Sequence, residues 1–159
     1  MNRKALFAAA VLAIAPASLF AQTTVASESA ARYERAEILA EQAMIMANQN
    51  ANYVVAASYL RDAAALWGSE SASVNALLNA GRFNYYANRK LVAVSALKSA
   101  GDLAEKMGDA ATASRAFRDA AWVAAEAGEI RTAVELLERG ERLMSSVAVA
   151  ALEQASSDR

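Results

Sequence analysis

The stretch that decides the fold is GDAATASRAFRDAAWVAAEAG, residues 108–128. Between its two glycines, small and apolar residues recur at the three- and four-residue spacing of one helix face. A Gly or Asn also recurs at twenty-residue intervals along the chain, at Asn48, Gly68, Asn88, Gly108 and Gly128. These two residue types adopt the left-handed conformation that ends a helix at the lowest cost. The spacing therefore predicts successive helices joined by short turns near these five residues.

The positions between the turns repeat as well. A large residue stands nine places after most turns, and a small residue stands twelve places after most of them. Small residues let neighbouring helix backbones approach, and large residues fill the space that remains between them. The pattern predicts antiparallel helices packed in chain order. Most of the burial is expected from the large residues Leu60, Trp67, Leu77, Phe83, Leu97, Leu103, Phe117, Leu137 and Leu143.

Composition restricts the class of protein. The chain has 159 residues, of which 56% are apolar, with six Gly and one Pro. Alanine, the best helix former, dominates, and no segment alternates with the period of two that is typical of strands. These features predict one folded, all-α domain.

The same composition argues against catalysis. There is no Cys and no His, which removes thiol chemistry, disulfides, the commonest metal ligand and the commonest general base. The glycines are isolated at helix ends, so none forms a phosphate-binding loop. We therefore expect no enzyme activity, no cofactor and no metal. The formal net charge of −1 gives no reason to expect nucleic acid as a partner.

The first residues resemble a secretory signal peptide. Arg3 and Lys4 precede an apolar run of eleven residues, Pro16 follows it, and Ala21 offers a cleavage site. Residues 1–21 are therefore expected to be removed on export, which predicts a periplasmic or secreted protein without a stable membrane span. The alternatives are an uncleaved anchor or an apolar first helix, but the run is short for a membrane span.

After the signal peptide the pattern predicts two segments. Residues 22–30 are a short polar leader in which Ser27 or Ser29 caps the first helix, and residues 31–155 form the helical repeat domain. Six helices are expected. Their predicted ranges are about 31–47, 51–67, 72–87, 90–107, 109–127 and from 129 onward.

The repeated columns resemble a tetratricopeptide repeat. Gly128, Ala133, Leu137 and Gly140 are similar to the turn and second helix of that motif, and Phe117 precedes Gly128 by eleven residues like a large residue of its first helix. The resemblance implies three stacked helical hairpins in a right-handed array with a concave groove. This repeat departs from the family because it spans about forty residues rather than the usual 34, and it lacks the closing proline.

The resemblance also implies which side chains line the groove. Each helix matches both halves of the motif, so two pairings of the helices remain open. Pairing helices 1–2, 3–4 and 5–6 places in the groove Arg35, Gln42, Asn75, Arg82, Tyr85, Tyr86, Arg115, Arg118 and Trp122. The other pairing selects a more ordinary surface, including Ser58, Asp62 and Lys98. The alternative for the aromatic residues is that they pack between hairpins.

Two functions fit these patterns. Arg, Asn, Tyr and Trp side chains together can stack on a peptide and hydrogen-bond its carboxylates, and two arginines on helix 5 favour an acidic segment. The first hypothesis is therefore an exported, non-enzymatic scaffold that binds a protein or peptide segment in the groove. The alternative is a structural or assembly subunit that packs through the ends of the array, without a peptide-binding groove.

Overall fold

The computed structural model describes residues 17–157, with side chains described for residues 27–149, 151, 153 and 154. In this part of the chain the regular structure is six α-helices and no strand, which confirms the all-α prediction. The helices are α1 (Ala17–Asn50), α2 (Tyr53–Trp67), α3 (Ser71–Tyr86), α4 (Lys90–Lys106), α5 (Ala110–Glu126) and α6 (Ile130–Ser157). The described residues from Arg32 onward form one compact unit, and those up to Ala31 belong to another. Most of the expected signal peptide, residues 1–16, lies outside the described residues.

Four of the five turns lie at the predicted residues. Gly68, Asn88, Gly108 and Gly128 all have positive φ, between 57° and 84°. After α4 the backbone N–H of Gly108 donates to Glu105 O at 3.0 Å, and that of Asp109 donates to Ala104 O at 2.9 Å. This pair of bonds is a Schellman motif, and it satisfies carbonyls that the helix end would leave unpaired. Asp109 then caps α5 by accepting from Thr112 N at 3.0 Å.

The first turn lies three residues beyond the predicted Asn48, which is inside α1. The left-handed residue is Ala51, with φ 49°. Asn52 explains the shift, because its side chain accepts from Val55 N and caps α2. The start of α1 is also earlier than predicted: residues 22–30 are helical rather than a leader, and Ser27 and Ser29 lie within the helix rather than at its cap.

Ala51 offers a stability test. The left-handed conformation is less favourable by about 1–2 kcal/mol for a residue with a β-carbon, whereas glycine adopts it freely. We expect Ala51→Gly to raise the free energy of unfolding by about 0.5–1 kcal/mol, after the extra entropy of glycine in the unfolded chain is subtracted. Urea denaturation measures this change. An unchanged or lower stability would contradict the strain assigned to this turn.

The packing of the helices follows the predicted rule of large against small. From α2 to α6, each helix packs against the next one in the chain. A β-carbon added at Gly81 would lie 2.5 Å from Cγ of Leu97, and one added at Gly101 would lie 2.6 Å from Cε1 of Phe117. Each glycine therefore gives room to the large side chain of the following helix. Leu60, Leu97 and Phe117 are buried as expected.

One predicted core residue is wrong. Leu137 is 43% exposed, and its neighbour Leu136 is buried at 4%. The buried face of α6 consists of Ala133, Leu136 and Gly140, with Leu143 half-buried beside them. Because the main packing partner of this face is α5, residues one position away from it remain uncovered. Four further members of the expected core, Trp67, Leu77, Phe83 and Leu103, are only half-buried.

Candidate functional site

A cleft of about 290 Å³ lies between α3 and α5. Arg82 and Trp122 both line it, as expected from their equal offsets, six residues before Asn88 and Gly128. Its full lining is Arg82, Tyr85 and Tyr86 from α3, Leu97 from α4, and Asp119, Trp122 and Val123 from α5. Leu97 and Val123 are buried, so they form an apolar floor below polar and aromatic walls.

Aromatic rings form a continuous row along this cleft. The Tyr85 and Trp122 ring centroids are 5.1 Å apart, those of Tyr85 and Tyr86 are 6.0 Å apart, and those of Tyr86 and Tyr53 are 5.5 Å apart. These are favourable tilted arrangements. Tyr86 is nonetheless 61% exposed and Trp122 is 53% exposed. The rings therefore contact one another, and two of them also present apolar surface to solvent.

Polar contacts hold the central ring in place. The Tyr85 hydroxyl donates to Oε2 of Glu126 at 3.1 Å, and Lys90 Nζ lies 3.4 Å from the same carboxylate. Lys90 also donates to the backbone oxygen of Glu126 at 3.1 Å. Desolvation raises the pKa of Tyr85, and its hydrogen bond to Glu126 and the charge of that carboxylate raise it further. The Tyr85 hydroxyl therefore remains a hydrogen-bond donor at neutral pH.

Four of the nine predicted groove residues meet at this cleft: Arg82, Tyr85, Tyr86 and Trp122. The other five do not line it. Asn75 lines a separate hollow that also includes Met107 and Thr112. Arg118 lies toward α6, since a β-carbon on Gly140 would be 3.4 Å from its Cγ. Arg35, Gln42 and Arg115 are exposed on their helices.

Asp119 and Lys90 contribute to the site but were not predicted. Asp119 precedes Trp122 by three residues, which places both on one face of α5, and this spacing is the signal that could have identified it. Lys90 is the first residue of α4 and carries no comparable signal. The cleft has an acidic side chain, Asp119, on one wall and a basic side chain, Arg82, on the other. The preference for acidic segments that we expected from Arg115 and Arg118 is therefore not built into its walls.

The opposite face of the helix array is organised by Arg139 of α6. Its guanidinium lies over the Phe117 ring, 4.2 Å from the centroid, and bonds Asp102 at 2.6 Å as well as Glu105. Both carboxylates belong to α4, so Arg139 spans α5 to join two helices that are not adjacent in the chain. Lys98 also bonds Asp102, at 2.9 Å.

The ionisation of this cluster follows from its charges. Partial burial opposes ionisation of Asp102, but hydrogen bonds from Lys98 and Arg139 outweigh it and lower the pKa of that carboxyl. Burial likewise opposes the charged form of Arg139, while Glu105 and Asp102 outweigh it and raise the pKa of the guanidinium. Asp102 and Arg139 are therefore both charged at neutral pH.

The described residues hold neither a cluster of metal ligands nor a helix suited to a membrane. No three His, Cys, Asp or Glu side chains among them are placed to hold a metal ion. None of the described helices has both the length and the apolar composition needed to cross a membrane. Comparison of the chain with protein-family models, with curated proteins and with solved structures finds no match.

Proposed function

We propose that this chain is a non-enzymatic scaffold that binds a segment of another protein in the cleft between α3 and α5. The observation that carries the proposal is the exposure of Trp122 and Tyr86 beside the guanidinium of Arg82. Tyr, Trp and Arg are the residues that most often supply the binding energy of protein interfaces. An apolar side chain of the partner would enter between the rings, above Leu97 and Val123.

The polar groups of the cleft suit a peptide backbone. Arg82 contributes a guanidinium whose only side-chain bond among the described residues is a 3.3 Å contact with Asn79. Asp119 offers an acceptor on the other wall. Peptide groups have both donors and acceptors, so a segment lying across the cleft can use both walls. The row of rings is already held by Glu126 and Lys90, which lowers the entropy cost of binding.

We also propose that the helices form a tetratricopeptide-like array and that the protein is exported. A tetratricopeptide-like array would present the α3–α5 cleft as its groove, since α3 and α5 are the first helices of successive hairpins in the pairing 1–2, 3–4 and 5–6. Export would bring the scaffold to periplasmic or secreted partners. An intact mass that begins at Gln22, measured on protein from the native host, would support export, and a mass that includes Met1 would refute it.

The test of the cleft begins with a partner recovered by pull-down from the exported fraction. Its binding isotherm is compared for the wild type, Trp122→Ala, Arg82→Ala and Arg118→Ala. We expect tenfold or greater loss of affinity for Trp122→Ala, because truncating an interface anchor typically costs about 2 kcal/mol or more. Arg82→Ala is expected to weaken binding several-fold. Arg118→Ala is the matched control, since this exposed arginine lies on the same helix as Trp122 and outside the cleft.

A second candidate function rests on α6. Large apolar side chains are exposed along one side of this helix at three-, four- and seven-residue spacing: Ile130, Val134, Leu137, Met144 and Val147. Such a stripe is typical of a helix that packs against another protein. It favours the assembly role, in which this end of the array contacts another subunit.

The two candidates separate in the same pull-down. The double variant Leu137→Asp/Met144→Asp puts charges in the stripe without touching the cleft. A partner lost from this variant and retained by Trp122→Ala would establish assembly through α6 and refute binding in the cleft. The reverse pattern would establish the cleft. Circular dichroism verifies that every variant is folded.

A further inference from the structure

Two grooves lie on the face of the helices opposite the α3–α5 cleft. They are formed by helices that correspond to one another in the repeat. One lies over α3 between α2 and α4, and the other lies over α5 between α4 and α6. Gly68 and Gly108 end the equivalent helices α2 and α4, and Asn88 and Gly128 end α3 and α5, so residues forty apart correspond. The two grooves can therefore be compared position by position.

The α4–α6 groove is filled by the chain itself. Arg139 lies across it, with its guanidinium over Phe117 and bonded to Asp102 and Glu105. Leu136 supplies further bulk at this level and is buried. The acidic groove is thus closed by the guanidinium of Arg139, and Lys98 supplies a second positive charge beside Asp102.

The α2–α4 groove is open at the equivalent positions. Ser99 stands where the other groove has Arg139, and Ala96 stands where it has Leu136. Both line a hollow of about 300 Å³. Leu77, the counterpart of Phe117, also lines it and is only half-buried. Smaller side chains at the same places therefore leave a space that the second groove does not have.

The charge of the open groove is reversed as well. Arg61 and Arg89 line it, where the other groove has Gly101 and Glu129, and no carboxylate is among the described residues of the lining. Arg61 contacts Ser58 at 3.5 Å and Asp62 at 3.9 Å, and the side chains of Arg61 and Asp62 are more than half exposed. Such a long, solvated contact competes weakly with an incoming anion. No ion pair involves Arg89 among the described residues.

We infer that the α2–α4 groove binds an extended, acidic peptide segment, whose carboxylates pair with Arg61 and Arg89. This partner would supply from outside the counter-charge that Arg139 supplies within the other groove. Val54 and Arg61 both line the hollow and are seven residues apart on α2, so the hollow extends for about 10 Å along that helix at 1.5 Å per residue. About three or four extended residues cover that distance. Hydroxyls of Ser58, Ser95 and Ser99 lie between and can donate to the peptide carbonyls.

The experiment uses a fluorescein-labelled hexaglutamate peptide and the full chain, with binding followed by fluorescence anisotropy at low salt. Hexaglutamine and hexalysine are the comparison peptides. We expect hexaglutamate to bind at least tenfold more tightly than either. Affinity should fall three- to tenfold in Arg61→Gln and in Arg89→Gln, and further in the double variant. Raising the salt should weaken it, as for any exposed ion pair.

Two further variants make the test specific. Ala96→Leu fills the hollow as Leu136 fills its counterpart, without changing any charge, and should lower hexaglutamate affinity at least threefold. Arg118→Gln removes an exposed cation that lies toward α6, outside both this groove and the cleft, and should leave the affinity unchanged. No preference for hexaglutamate would overturn the inference. So would equal losses in Arg118→Gln and Arg61→Gln, or full affinity in a folded Arg61→Gln/Arg89→Gln variant.

Discussion

Replacing Phe117 with alanine is expected to lower the free energy of unfolding by about 3–5 kcal/mol, the usual cost of emptying a large buried site. Phe117 is fully buried, and it fills the space that Gly101 leaves on α4. Its ring also supports the guanidinium of Arg139. Because most of the core is alanine, few other large side chains can move into the vacated space. Urea denaturation followed by circular dichroism measures the loss.

Leu137→Ala is the matched control. Leu137 stands twenty residues after Phe117 in the same column of the sequence, but it is 43% exposed. We expect it to cost less than about 1 kcal/mol, the range of surface substitutions with little burial. Equal losses for the two variants, or a loss below about 1 kcal/mol for Phe117→Ala, would contradict the packing described for α5.

The second large effect is expected at Gly101. In Gly101→Ala the new β-carbon would lie 2.6–2.8 Å from three atoms of the Phe117 ring. The ring is rigid and has buried surroundings, so we expect destabilisation of about 1–3 kcal/mol from overpacking. This loss is a net value, because alanine by itself favours a helix interior by about 1 kcal/mol over glycine.

A double-mutant cycle isolates the contact. In the Phe117→Ala background the ring is absent, and Gly101→Ala should then be neutral or stabilising by up to about 1 kcal/mol through helix propensity alone. The sign of the effect therefore reverses with the residue at position 117. The same destabilisation in both backgrounds would show that something other than the ring restricts Gly101.

The turns were predictable because their residue types act locally. Gly68, Asn88, Gly108 and Gly128 adopt positive φ at low cost, so their regular spacing indicates where the helices end. The position of the first turn was not predictable in this way. Three asparagines lie within residues 48–52, and the twenty-residue interval falls on the first of them. Asn52 sets the start of α2 by capping it, an effect that a count of intervals does not include.

Burial and the cleft were predictable only in part. Helical periodicity limits the core to one face but does not separate Leu136 from Leu137, because only the number of neighbouring helices decides how wide the covered face is. The repeat interval correctly brought Arg82 and Trp122 together. It misplaced Arg118, whose side chain turns toward α6, and it did not include Asp119, whose counterpart forty residues earlier is Asn79. Contacts between helices, which the sequence pattern does not include, determine which of these side chains are buried and which line the cleft.

The bonds of Arg139 affect how cooperatively the helices unfold. In a stack where each helix contacts only its neighbours, the terminal helix can detach at the cost of a single interface. Here α6 also bonds α4 through Asp102 and Glu105, while Tyr85 of α3 bonds Glu126 of α5. One set of bonds links α6 with α4, and the other links α3 with α5. Detaching α6 or α3 therefore breaks bonds to a helix beyond its immediate neighbour. The segment from α3 to α6 thus has the connectivity of one cooperative unit rather than of four separable layers.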